Sequence, residues 1–199
     1  MANDELSTGS KEVKAANKAS ASQILKCIPT DSESPGHSFE VILAEKLDGA
    51  ARSSIWSLFE TNMRPMYTAS SFGWDPPHKK GELFDHLSRF ILVYPKDESR
   101  SLVAFTAFRF EFEEGQNILY CYDLQVSKKS QRHGLGRQLM NHLARIGAAF
   151  RLDKIMLTVF KANPRALMFY ADFGFEVDPD SPGDEDEEDY KILSKKCLI

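Results

Sequence analysis

The sequence predicts one α/β domain of the α+β kind, a mixed, mostly antiparallel central sheet flanked by helices, with an N-terminal helical extension. Three observations carry that expectation. Residues 89–94, 101–112 and 118–126 are β-branched and aromatic, and the turn-like stretches Pro95-Lys-Asp-Glu-Ser99 and Glu114-Gly-Gln-Asn117 separate them, as in a meander of three antiparallel strands. Behind them, Leu135, Leu139, Leu143, Ile146 and Phe150 make one apolar stripe at helical spacing. Lys154-Ile-Met-Leu-Thr-Val-Phe160 then reads as a buried strand. A chain of 199 residues with 42% hydrophobic residues suffices for one well-filled core and is short for two domains. The expected organisation is a tail over residues 1–38 carrying a docked helix, and a single domain over 39–199.

In order along the chain, residues 1–38 are poor in apolar groups, and within them Ala15 to Lys26 has helix-forming composition with Ile24 and Leu25 free to dock. Phe39 to Ala44 is a short strand. Asp48 caps a helix to about Met63, with Ala51, Ile55, Leu58 and Phe59 at helical spacing. Met63 to Pro77 holds too many breakers for a long element, and its Tyr67, Phe72 and Trp74 are expected either to line a binding mouth or to form a lid packed on the core. In the second meander strand Phe108, Phe110 and Phe112 share one face, leaving Arg109, Glu111 and Glu113 on the other, ordinarily solvated, face. Asn163-Pro164 starts a further helix that Gly174 closes, and Tyr190 to Ser194 makes a last strand.

Composition narrows the function classes. The net charge is −4, yet Asp184-Glu-Asp-Glu-Glu-Asp189 alone supplies six negative charges, so the acidity is local and the rest of the chain is weakly basic. No direct nucleic-acid contact is expected. Cys27, Cys121 and Cys197 are odd in number and lack metal-ligand spacing, so no metal is expected and the thiols read as reduced. There is neither an 18-residue apolar span nor an N-terminal apolar segment of the secretory kind, and Cys197 stands third from the end, off the prenylation position. The expectation is a cytoplasmic and nuclear protein that meets no membrane.

The chemistry gathers at Tyr120-Cys-Tyr-Asp-Leu-Gln-Val126 followed by Gln131-Arg-His-Gly-Leu-Gly136, a strand running through a loop into a glycine-opened helix. Such a helix start presents unpaired N–H groups and a positive dipole end, a seat for a pyrophosphate. A glycine pair alone is a weak signal. The preceding strand is antiparallel and no Gly-Lys-Ser/Thr follows, which disfavours dinucleotide-binding and P-loop readings.

Gln131-x-x-Gly134-x-Gly136, then a strand, then Asn163-x-x-Ala166-x-x-x-Tyr170-x-x-x-Gly174-Phe175, resembles the acetyl-CoA signature of the GCN5-related N-acetyltransferase (GNAT) superfamily over roughly residues 101–195. Thr61-Asn-Met63, Met66-Tyr67, Gly73-Trp74, Phe108-Arg-Phe110, Leu119-Tyr-Cys-Tyr122, Gly134-Leu-Gly136 and Met156-Leu-Thr-Val-Phe-Lys161 resemble one branch, the histone-specific N-terminal acetyltransferases of the NatD type. The resemblance implies a GNAT fold, acetyl-CoA as co-substrate, and transfer of acetyl to the α-amine of Ser-Gly-Arg-Gly termini on histones four and two-A, by a monomer without an auxiliary subunit. Acetylation of a lysine or small amine on the same fold, and a non-catalytic histone-tail binder, are the rival readings; the intact glycine signature speaks against the last.

Direct acyl transfer needs a deprotonated amine and a held thioester, with no covalent nucleophile. By resemblance, backbone groups of Leu124, Gln125 and Val126 hold the pantetheine arm, and those of Arg132, His133, Gly134, Leu135, Gly136 and Arg137 cradle the pyrophosphate. Asn163 is a cofactor contact or simply the cap ahead of Pro164. Tyr170 is the thiolate's proton donor or a core aromatic beside Phe169. Asp123, an acid inside an apolar run, is the candidate general base, or an acid held at a bulge for structure; relatives usually carry Glu there, so the shorter Asp suggests transfer through a water. Tyr122 or Glu111 could share the task. Tyr67, Phe72, Glu111, Glu113, Tyr120, Tyr122, Thr158 and Tyr190 are the expected peptide-pocket residues. Tyr120 and Tyr122 alternate with Cys121 and Asp123, so a bulge or twist is required before both sets reach one pocket.

Overall fold

The computed structural model describes residues 9–29, 36–97, 101–183 and 185–197. Its strands are β1 (His37–Leu43), β2 (Arg89–Pro95), β3 (Ala104–Glu113), β4 (Gln116–Val126), β5 (Lys154–Phe160), β6 (Glu176–Val177) and β7 (Tyr190–Lys196). Among the described residues they form one sheet in the order β1-β2-β3-β4-β5-β7-β6. Every neighbouring pair is antiparallel except β4 and β5, which run parallel because the helix between them carries the chain back to the end of the sheet where β4 begins. The expected mixed, mostly antiparallel sheet is the one observed.

Two apolar layers cover the sheet. On one face lies α5 (Leu135–Ala149), whose Leu139, Met140, Leu143 and Ile146 are fully buried against Phe108, Phe110 and Leu119. Phe108 and Phe110 of β3 belong to this layer, and truncating Phe108 to alanine would cost about 3–5 kcal/mol. The same layer takes in α6 (Pro164–Phe173) through Tyr170 and Phe173. On the opposite face α3 (Gly49–Ala69) and α4 (Pro76–Leu83) bury Ile55, Phe59 and Leu83 against Phe90, Leu92, Phe105 and Ala107.

The structure departs from the sequence pattern in three places. Where one helix is expected at Ala15 to Lys26, two short ones form, α1 (Lys11–Asn17) and α2 (Ala21–Leu25), each with a serine N-cap. Val13, Ala16 and Ile24 sit in the core under the sheet, and Arg89 donates to the Asn17 carbonyl at 2.9 Å, so this segment is packed in place. Any structure over residues 1–8 and 30–35 lies outside the described residues. Second, α3 does not stop at Met63 but continues through Pro65 to Ala69. A mid-helix proline removes one backbone bond and usually kinks or breaks a helix, and here Phe59 and Tyr67, flanking it, are held in one aromatic cluster at a centroid distance of 5.8 Å. Third, α4 begins at the last two residues of the breaker-rich stretch and continues over residues for which the sequence pattern names no element. Asp75 caps it by accepting from His78 N at 3.1 Å, with two prolines in the first turn, where their missing donors are harmless.

Candidate active site

β4 determines the site. Its register with β3 slips between Ala107–Asp123 and Phe108–Cys121, leaving Tyr122 as the extra residue of a bulge. Before the bulge Leu119 and Cys121 face the α5 layer; after it Leu124 and Val126 do. Tyr122 and Asp123 therefore both face the α3–α4 layer, which regular alternation forbids. Of the bulge or twist that the Tyr-Cys-Tyr-Asp pattern requires, the structure forms the bulge. It also bends β4 away from β5, whose pairing with it ends at Cys121–Leu157. The β4 edge from Tyr122 to Val126 consequently looks into a gap, where an extended pantetheine-like chain could add as a strand.

The glycine loop stands at the far end of that gap. Arg132 (φ 67°) and Gly134 (φ 85°) are left-handed, and Gly134 is the N-cap of α5, whose first intrahelical bond runs from Gln138 N to Gly134 O at 3.0 Å. The N–H groups of Leu135 to Arg137 in the first turn have no intrahelical acceptor. The side chains of Arg132, His133 and Arg137 are exposed. A Cβ at Gly134 would meet nothing within 4 Å, so the space before the helix end is open. A left-handed cap, an open helix N-terminus and an unpaired strand edge in line fit a cofactor with a pyrophosphate and a pantetheine arm. Asn163 caps α6, accepting from Ala166 N at 3.2 Å. Tyr170 is buried, with its ring against Phe169 and Phe175 at 5.1 and 5.6 Å, and burial holds its hydroxyl well above its ordinary value.

Asp123 is buried beneath the bulge. Gln125 Nε2 donates to its Oδ1 at 2.6 Å, and Lys79 Nζ lies 3.4 Å from its Oδ2. Burial pushes the Asp123 carboxyl above the usual range, while the Lys79 ammonium and the Gln125 amide pull it back. Lys79 comes from α4, is itself buried, and pairs with Glu82 at 2.5 Å. Its ammonium lies 5.2 Å from the Phe59 ring centroid and 5.5 Å from that of Tyr67, whose hydroxyl it also meets. Gln125 is tied in turn to Asn62 Nδ2 at 3.0 Å. Lys79 and the Gln125 side chain are site residues that the sequence pattern does not single out, and Asn62 enters it only within the Thr61-Asn-Met63 motif, without a role. The available signal was indirect: an acid in an apolar strand implies a buried partner.

Next to Asp123 lies a second cluster. Tyr122 donates to Glu111 Oε1 at 2.7 Å, and the Arg109 guanidinium stacks on the Tyr122 ring at 4.0 Å. Arg109, on the face expected to be solvated, is largely buried by Ser88 and the Glu82 carbonyl. Burial raises the Glu111 carboxyl above its usual value, against the Tyr122 hydrogen bond. Burial and Glu111 together raise the Tyr122 hydroxyl, in keeping with its donating to Glu111. The Tyr120 ring lies 4.8 Å from that of Tyr122, and its hydroxyl, pushed up to about 12 by burial, shares a hydrogen bond of 2.6 Å with Thr158 Oγ1. Glu113 is exposed beyond them.

The mouth is aromatic. Tyr67 packs edge-on to Phe160 at 5.0 Å, and Phe72, 52% exposed, bridges Phe160 at 5.7 Å and Tyr190 at 5.5 Å. Trp74 instead stacks on Trp56 at 5.7 Å and on Phe59 at 6.2 Å. Phe72 thus faces the mouth, and Trp74 is the packed lid. The Ser71 amide donates to the Asp189 carboxylate, tying the loop after α3 to the acidic loop before β7. Ser71, Asp180, Asp186, Glu187, Glu188 and Tyr190 line part of a recess of about 470 Å³ there. Among the described residues no cluster of histidine, cysteine and carboxylate side chains could hold a metal, and no helix is long and apolar enough to cross a membrane.

Comparisons with known proteins agree with this geometry. The N-alpha-acetyltransferase 40 of Saccharomyces cerevisiae is 28% identical over 129 residues, 56% of this chain and 45% of that protein, so the chain spans less than half the length of this relative. A GNAT-family acetyltransferase from Staphylococcus aureus superposes with a TM-score of 0.62 at 13% identity, over 81% of this chain and 100% of that one. A chain of the NatC complex bound to Gag peptide and CoA superposes with a TM-score of 0.61 at 14% identity, over 82% and 99%. Identities this low show the fold alone. The sequence profile of the Acetyltransferase (GNAT) family matches residues 54–175, and with the bulged β4, the open gap beside β5 and the glycine-capped α5 this places the chain in that family.

Proposed function

We propose that this chain is an N-alpha-acetyltransferase that transfers acetyl from acetyl-CoA to the amino-terminal serine of Ser-Gly-Arg-Gly peptides, the termini of histones four and two-A. The observation that carries the reading is the bulge, which sets Tyr122 and Asp123 side by side at the open end of the gap, next to an aromatic mouth and two glutamates. The name of the yeast relative and the branch-specific motifs in the sequence support the same choice.

Acetyl-CoA, when bound, supplies the thioester carbonyl that the amine attacks. Leu124, Gln125 and Val126 offer the strand edge for its arm, and the amides from Arg132 to Arg137 its phosphate seat. Asn163, the cap of α6, offers a further cofactor contact, and Tyr170 within that helix gives a proton to the CoA thiolate that leaves as the amide bond forms. Asp123 takes the proton of the incoming amine, directly or through one water. Glu111, aimed by Tyr122, and Glu113 offer charge to the amino terminus or to the arginine at the third position. Tyr67, Phe72, Tyr120, Thr158 and Tyr190 enclose the first residues. The acidic loop attracts the basic tail and raises the on-rate. The chain works as a monomer, in cytoplasm and nucleus.

The test is a peptide panel with acetyl-CoA. Ser-Gly-Arg-Gly peptides should exceed peptides beginning Met-Leu or Ala-Arg by at least a hundredfold in kcat/KM. Equal rates across the panel would contradict the substrate assignment, and binding without turnover would favour a non-catalytic tail binder.

A further inference from the structure

The buried cation beside Asp123 has no part in the roles assigned so far. Lys79 Nζ is 3.4 Å from Asp123 Oδ2 and 2.5 Å from Glu82 Oε2, between two aromatic rings, with its side chain only 10% exposed. Gln125, held by Asn62, takes the other Asp123 oxygen. Donors from two directions fix the plane of the carboxylate, yet each oxygen keeps a lone pair. For stability alone, an apolar pair of similar volume in such a site is often as good or better. We propose that Lys79 is a positioning residue for the acid–base step: its ammonium, carried on α4, holds the buried Asp123 carboxylate ionised and oriented below the bulge. The proposal rests on Asp123 being the general base.

The charges around Asp123 give the sign. Lys79 and Glu82 face it from α4, Tyr67 from α3, Cys121 and Tyr122 lie beside it on β4, and Tyr170 approaches from α6. Burial and Glu82 favour the protonated acid; Lys79 and the Gln125 amide favour the carboxylate. Removing the ammonium leaves burial and Glu82 unopposed except by Gln125, so Asp123 must retain its proton to higher pH. An opposite charge at this range is worth about one to three pH units.

The experiment follows the Asp123 side-chain carboxyl by carbon-13 NMR in the full chain, with the signal assigned by its loss in Asp123→Asn. In Lys79→Met the titration midpoint should rise by about one to three pH units, and the acid limb of kcat/KM should move with it by the same amount, lowering turnover on the acid side and restoring it as pH rises. Lys79→Arg should keep the midpoint near its original place. An unmoved midpoint in folded Lys79→Met overturns the proposal. Should that variant fail to fold, Glu82→Gln answers instead: it should lower the midpoint, because Lys79 then serves one acid, and no change overturns the proposal. Undiminished turnover in Asp123→Asn would overturn the base reading itself, a failure distinct from an unmoved midpoint.

Discussion

Substituting alanine at the two glycines of the helix-opening loop should have opposite consequences. Gly134 has φ 85° and ψ −6°, and an added Cβ would meet no atom within 4 Å, so the whole penalty of Gly134→Ala is backbone strain. A non-glycine residue in the left-handed region costs about 1–2 kcal/mol. At roughly 2–4 °C per kcal/mol for a domain of this size, Tm should fall by about 2–8 °C. If the loop relaxes to escape the strain, the first-turn N–H groups of α5 lose their common direction, and CoA affinity should fall about tenfold, the equivalent of 1.4 kcal/mol. Gly136 lies inside the first turn of α5, and its added Cβ would rest 3.5 Å from Phe169 and 3.8 Å from Leu124, ordinary contact distances. Alanine gains up to about 1 kcal/mol in helix propensity there, so Gly136→Ala should keep or raise Tm and leave CoA affinity within about twofold. Thermal melts and calorimetric titration with CoA read both. A Gly134→Ala protein with unchanged Tm and CoA affinity would refute the role given to the left-handed cap, and a Gly136→Ala protein that loses stability would refute the packing.

Three further outcomes follow from the geometry. Asp123→Asn should reduce kcat by at least about a hundredfold with little change in peptide KM, measured by steady-state kinetics. Lys154 Nζ is 2.8 Å from the buried Asp178 carboxylate, and although burial works against it, hydrogen bonds from Lys154 and Ser194 hold that carboxyl below its ordinary value. A depressed carboxyl contributes stability that is present above about pH 4 and lost as pH falls through its folded-state value. Lys154→Met should therefore cost about 3–5 kcal/mol at neutral pH and flatten the acid side of a stability–pH curve from denaturant titrations. Replacing Asp186, Glu187 and Glu188 by serine should raise KM for a basic peptide several-fold at low salt, and the difference should vanish as added salt screens the loop.

The elements with strong periodicity were legible. The meander, the stripe of α5 and the run of β5 carry their pattern in apolar residues alone, because each buries a continuous face. A break in alternation, by bulge or twist, was legible too, since Tyr-Cys-Tyr-Asp cannot serve one pocket under strict alternation. What escaped is α4 and all that it brings. Pro76 to Leu83 has no apolar stripe; its helix depends on the Asp75 cap, the tolerated first-turn prolines and the single buried Leu83. Without that helix nothing links Lys79 to Asp123, 44 positions along the chain by the numbering. Arg109 escaped for a related reason. Its strand position reads as solvated, and the residues that cover it, Glu82 and Ser88, come from that same helix and the turn after it. The extension of α3 past Pro65 shows the reverse case, in which tertiary packing of Phe59 and Tyr67 overrides a local breaker.

The most direct measurement of the central claim is the position of the transferred acetyl group. The purified chain is incubated with acetyl-CoA and a Ser-Gly-Arg-Gly-Lys peptide, once with a free amino terminus and once with it blocked, and the products are mapped by fragment-ion mass spectrometry. The account predicts one acetyl group on the serine α-amine of the free peptide and none on the blocked one. Acetyl on the lysine of the blocked peptide would contradict it.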